Sequence, residues 1–219
     1  MKLKGLKVGF LGDSIAQGAG ASSPETTFVA LFAAAHKDCT VKNYSIGGTK
    51  IASQINVRPA CTAWDSIPFY TRIEQMDVDL DLVFIMGGTN DFGHGDAPMG
   101  KKGEVISTYT FYGALFSTVL MIQLRCPKAQ VVIATPIHRH GEDNLAVRPD
   151  GKWSLKDYVD MEKTVAEYLS VPVLDLWATS GIQPNVFDNY KKYTTDGLHP
   201  NDAGHRRIFE ILDRFVEHL

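Results

Sequence analysis

The 219-residue chain carries 22 basic and 25 acidic residues and a formal net charge of −3, so it offers no basic stripe and nucleic acid is not an expected partner. Its length suits one α/β domain over 1–219 with a substantial core. Cys39, Cys61 and Cys126 cannot all pair with one another and show no Cys-x-x-Cys spacing, which reads as reduced thiols. No apolar run long enough for a secretory signal precedes Gly12, so a cytoplasmic location is expected.

In chain order, Lys7 to Leu11 is a short apolar run bounded by glycines and predicts a buried strand. Gly12-Asp13-Ser14-Ile15 then forms the turn at its carboxyl end, where open α/β sheets bind ligands. A helix is expected over Glu25 to Lys37 and a strand over Val41 to Ile46, followed by the small residues Gly47-Gly48-Thr49. Ile67 to Met76 predicts a second helix, and Leu80 to Met86 is the strongest strand signal, ending in Gly87-Gly88-Thr89-Asn90-Asp91.

Thr108 to Arg125 predicts a helix stopped by Pro127; its most apolar part, Phe111 to Leu124, contains Ser117, Thr118 and Gln123 and falls short of the roughly 20 apolar residues of a membrane span. A strand over Gln130 to Thr135, a helix over Leu155 to Ser170 and a strand over Val171 to Leu176 follow. The last helix, from about Asn201, places Ile208, Ile211, Leu212, Phe215, Val216 and Leu219 on one stripe. This βαβ repetition predicts a three-layer α/β/α sandwich, flavodoxin-like, around a mostly parallel five-stranded sheet with right-handed crossovers.

The turns carry the chemistry. A serine hydroxyl becomes a useful nucleophile when a base takes its proton and a carboxylate orients that base. Ser14 supplies the hydroxyl, and Asp196-Gly197-Leu198-His199-Pro200 supplies the other two groups. Pro200 disfavours helix at the residue before it, so the loop persists through His199 and lets Asp196 fold back on the imidazole. Acyl transfer also needs donors aimed at a developing oxyanion, which a close glycine N–H and the Asn90 amide can provide.

Together these segments resemble the four blocks of the GDSL, or SGNH, hydrolase family of esterases and lipases, in the family's order, from residue 7 to about residue 205. The resemblance implies Ser14 as nucleophile, His199 as base, Asp196 as its acid partner, and an oxyanion hole of Ser14, Gly48 and Asn90, with Gly47 leaving a one-residue ambiguity. Ile15 stands where the family's name-giving leucine would be. The absence of Gly-x-Ser-x-Gly argues against the ordinary α/β-hydrolase elbow. This chemistry requires no metal or organic cofactor.

Each residue has a plainer reading. Ser14 could cap the following helix, Asp196 could cap a turn, His199 could be a surface histidine, and Gly48 and Asn90 could serve backbone geometry. Asp13 and Asp91 read as supports of their loops. His138 and His140, around Arg139, read as a substrate-facing loop in preference to a zinc site; His205 reads as structural, and His94 and Asp96 as solvated loop residues that could rim the pocket. Three irregular stretches, 56–68, 92–107 and 138–154, should shape the pocket.

Those stretches are polar and glycine-rich, unlike the apolar channel of a long-chain lipase, so the expected substrate is a short acyl ester, acetyl-like, of a carbohydrate or other polar alcohol. Trp64 and Trp153 fit either sugar stacking or core anchoring. A thioesterase or lysophospholipase would use the same residues, an acyltransferase would pass the acyl group to an alcohol, and a non-catalytic binding module would keep the fold alone.

Overall fold

The computed structural model describes residues 4–56, 64, 66–147, 151–186 and 188–219; Cys61 lies outside them. Five strands, β1 (Lys7–Gly12), β2 (Thr40–Asn43), β3 (Leu82–Met86), β4 (Gln130–Ala134) and β5 (Val173–Leu174), pair in the order β2-β1-β3-β4-β5. Every pairing is parallel, so the sheet is wholly parallel where the sequence predicts a mostly parallel one. Parallel strands buried on both faces read as continuous apolar runs, as Leu82-Val-Phe-Ile-Met86 does.

Alternate residues of these runs supply two cores. Val83, Ile85, Val131 and Ile133 face one layer, where they meet α4 (Phe111–Arg125) through Phe111, Leu115 and Val119, and α5 (Leu155–Leu169) through Tyr158 and Val165. Phe10, Leu82, Phe84 and Val132 face the other layer, against Phe28 and Phe32 of α2 (Phe28–Ala35) and Ile208, Leu212 and Val216 of α8 (Asp202–Glu217). Phe10 stacks on Phe84 at 5.1 Å and meets both α2 phenylalanines edge-on at 5.8 Å. No helix among the described residues is long and apolar enough to cross a membrane.

Local chemistry moves several boundaries. The helix expected over 25–37 splits into a 3-10 turn, Pro24–Thr26, and α2, because the Thr27 side chain accepts from Ala30 N and restarts the helix as its cap. The 67–76 helix is a 3-10 helix, Phe69–Gln75, after Pro68. The strand expected over 41–46 is regular only to Asn43, although the Tyr44 and Ile46 N–H groups still donate to the Phe10 and Gly12 carbonyls.

The strand expected over 171–176 contracts to two residues. Pro172 has no N–H to give a ladder, and Asp175 turns the chain by capping α6 (Leu176–Thr179). Thr110 caps α4 and Asn201 caps α8, each accepting from a backbone N–H three residues on. Besides α6, three further short helices were not expected: α1 (Ser14–Gln17), α3 (Thr89–His94) and α7 (Asn189–Tyr193).

Candidate active site

The strand order reverses between β1 and β3, which are neighbours, and such a switch point opens a crevice beyond the strands' carboxyl ends. Ser14 leaves β1 and Asn90 leaves β3, so the fold itself sets them side by side. Asp13 caps α1, its Oδ1 accepting from Ile15 N at 2.9 Å, and leaves the Ser14 hydroxyl out of the capping. Arg72 is buried beneath, donating to the Gly12 and Tyr44 carbonyls and to Thr49 Oγ1 and so tying the ends of β1 and β2 together.

A set of contacts between the chain's two ends carries His199 to this crevice. Asp202 accepts from the Ser22 N–H and hydroxyl and the Thr26 hydroxyl at 2.6–2.8 Å, bonds that hold its carboxyl down at about 2. The buried His205 accepts from Phe28 N at Nδ1 and donates from Nε2 to the Ala19 carbonyl; burial lowers its pKa, in keeping with this neutral tautomer. Gly20, at φ +90°, lies against the Pro200 carbonyl so closely that a Cβ would approach it to 2.2 Å.

The outcome is a hydrogen-bonded line of three side chains. Ser14 Oγ is 3.1 Å from His199 Nε2, across 185 positions of sequence. His199 Nδ1 is 2.7 Å from Asp196 Oδ2, while Asp196 Oδ1 accepts from the backbone N–H groups of Leu198 and His199. Partial burial pushes the Asp196 carboxyl up, and the hydrogen bonds from the His199 backbone and ring outweigh it, so it stays below the usual carboxylate range.

Opposite this line, Gly48 has φ +77°, a left-handed backbone open to glycine. A Cβ there would also strike the Trp64 ring at 2.6 Å. The Gly47 N–H is taken by Gln17 Oε1 at 2.8 Å, whereas the Gly48 N–H has no partner among the described residues. Asn90 donates one amide hydrogen to the Thr49 carbonyl at 2.9 Å, and its Oδ1 lies 3.2 Å from His94 Nε2. An amide nitrogen carries two hydrogens, so one remains for a ligand. Ser14, Gly48, Asn90 and His199 line one cavity of about 600 Å³, a size suited to a small molecule.

The profile of the GDSL-like lipase/acylhydrolase family matches residues 10–207. The chain belongs to this family. No curated protein matches it. Among solved structures, one from Lactobacillus plantarum shares 25% identity at TM-score 0.82, with 98% of each chain covered. A member of the lipolytic protein G-D-S-L family from Veillonella parvula (17%, TM-score 0.65) and an acetyl xylan esterase (21%, TM-score 0.67) share the fold, each covered over 100% of its length by 98% and 96% of this chain.

In this GDSL-family hydrolase the supporting residues are as informative as the central ones. Asp91 straps α3 to the Gly48 loop: Oδ2 accepts from Ile51 N and Oδ1 from Ala52 N, both at 3.0 Å. Burial pushes the Asp91 and Asp13 carboxyls up to about 6. Asp91→Asn would set an NH2 group against one of the two backbone donors. We expect it to lower unfolding free energy by about 1–3 kcal/mol, read from a urea titration; an unmoved midpoint would show the strap to be slack.

Several other expectations change. Asp96 does not rim the cavity: its carboxylate accepts from the Ile55 and Asn56 N–H groups and pins that loop. His94 does line it. His138 packs on Trp177 at 3.7 Å with Nδ1 on Glu142, and no cluster of three or more metal-ligating side chains occurs among the described residues. Trp153 packs against the core and lines a separate surface cavity, leaving Trp64 as the tryptophan of the Ser14 cavity. Arg139, Gln17 and Leu198 also line it. The sequence reading assigns none of the three a role, although the loop it expects to face the substrate, around His138 and His140, contains Arg139.

Proposed function

We propose that this hydrolase is a serine esterase that removes short acyl groups, acetyl-like, from a carbohydrate or similar polar alcohol through an acyl-serine intermediate. The observation that carries the reading is the Ser14–His199–Asp196 line opening into a cavity of about 600 Å³. With the His199 Nδ1 hydrogen donated to Asp196, Nε2 is left as the acceptor facing Ser14. Nε2 takes the Ser14 proton as Oγ attacks the ester carbonyl, and Asp196 stabilises the imidazolium.

The oxyanion meets the Ser14 and Gly48 N–H groups and the remaining Asn90 amide hydrogen. His199 then protonates the departing alcohol, and a water molecule repeats the sequence to free the acid. Ser14 begins α1, where a helix N–H has no intrahelical partner, so its backbone donor is available. The short-acyl reading is supported by the polar groups of Gln17, Asn90, His94 and Arg139 around the cavity, with the exposed Trp64 ring as a flat apolar wall suited to a sugar face. An acetyl xylan esterase on the same fold is in keeping with it.

Two measurements test the proposal. A fluorophosphonate should form a single adduct located to Ser14 by mass spectrometry; a folded protein that takes up no label would favour a binding module. Turnover of p-nitrophenyl acetate should exceed that of the octanoate, and a strong preference for the longer chain would move the reading to a thioesterase or lysophospholipase.

A further inference from the structure

Arg139 is held in the cavity wall more firmly than a solvated arginine would be. Its Nη1 donates to the Thr89 carbonyl at 3.1 Å and to the Thr89 hydroxyl at 3.3 Å. The guanidinium carbon stands 5.5 Å from the centre of the Phe92 ring. Gly93 makes room for it, since a Cβ there would come within 2.7 Å of Nη1. Its backbone N–H is fixed by Glu142 Oε2 at 3.0 Å.

All of these side-chain bonds use Nη1. Nε is buried with no hydrogen-bond partner, and no bond from Nη2 is found among the described residues. Nε is shut off from solvent, which leaves Nη2 as the unused donor of this cavity-lining guanidinium, able to give a charge-assisted hydrogen bond to an anion. No carboxylate lies within 4.0 Å of this guanidinium among the described residues; Asp196, Asp13 and Glu142 act on it only through their fields. A partly buried cation with no anionic partner costs free energy unless something meets it.

We propose that Arg139 is a specificity residue that receives a carboxylate on the substrate, so that the preferred ester carries an acidic group beside the bond that is cleaved. This rests on the esterase reading above; because the acyl group there is short, the carboxylate belongs to the alcohol part, as in an acylated sugar acid. The contacts with Thr89 and Phe92 seat the arginine side chain against α3, the helix that carries Asn90, so the anion and the reacting carbonyl would be positioned by one element.

The test pairs 4-(acetoxymethyl)benzoate with its neutral amide, 4-(acetoxymethyl)benzamide, whose acetyl esters have nearly the same intrinsic reactivity. The wild-type kcat/KM should favour the carboxylate by about tenfold or more, as one charge-assisted hydrogen bond implies, and Arg139→Gln should bring the ratio close to one. The ratio is read because it is insensitive to a general loss of rate through Thr89. A wild-type ratio near one, or a ratio that survives Arg139→Gln, overturns the proposal. Should that variant fail to fold, Arg139→Met is read in its place: a ratio near one supports the anion site, and an unchanged ratio counts against it.

If neither ester is cleaved and Ser14 takes no label, the esterase reading falls separately. Calorimetry with 4-(hydroxymethyl)benzoate and its amide then decides the anion site. Binding of the carboxylate alone, lost in Arg139→Gln, upholds it; equal binding or none removes it.

Discussion

Ser14→Ala should lower kcat/KM for p-nitrophenyl acetate by on the order of 10⁶-fold while leaving the urea midpoint almost where it was. The two halves of this expectation have separate causes. The rate falls because the Oγ that attacks and the proton that His199 removes are both lost. Stability holds because Asp13 caps α1 and Ser14 Oγ spends its bond on His199. Were Ser14 a helix cap, the pattern would reverse: a loss of about 1 kcal/mol in stability and a retained rate.

A Ser14→Ala/His199→Ala double variant should be hardly slower than either single one, because the two side chains act as one unit. Independent, multiplying losses would sink the paired mechanism even if each single variant were slow.

The second large effect is at the oxyanion. Asn90→Ala should lower kcat by about 10²–10³-fold with a much smaller change in KM, since the amide hydrogen matters most once charge has moved onto the carbonyl oxygen. The variant also removes the bond to the Thr49 carbonyl, costing about 1 kcal/mol of stability, so rates are compared where both proteins are fully folded. Asn90→Asp separates shape from donation: it keeps the volume, loses the donor and sets negative charge beside the oxyanion, and should be at least as slow. A near-normal kcat in either variant would take Asn90 out of this role.

The strand ends that frame the site were legible because a buried parallel strand is a continuous apolar run, and Lys7–Gly12 and Leu82–Met86 each stop at glycine. The helix Thr89–His94 was not legible. Its residues, Thr-Asn-Asp-Phe-Gly-His, have weak helix propensity, and what holds them is Asp91 bonding to a loop some 40 positions earlier. Trp64 and Trp153 looked alike as sequence and separate only in space, one on Gly48 and the other packed against the core cluster, where it lines a separate cavity with α5 residues.

From residues alone came the kinds of group available and their order: a hydroxyl, a glycine, an amide and an Asp-x-x-His loop, each next to an element that the apolar pattern predicts. Those are local properties, set by side-chain chemistry and by period. The 3.1 Å between Ser14 and His199 belongs to the tertiary structure, because it depends on α2 packing against α8 and on Asp202 and His205 gripping the first loops. So does the unspent Nη2 of Arg139, since whether a guanidinium is paired is decided by which acceptors packing brings within reach.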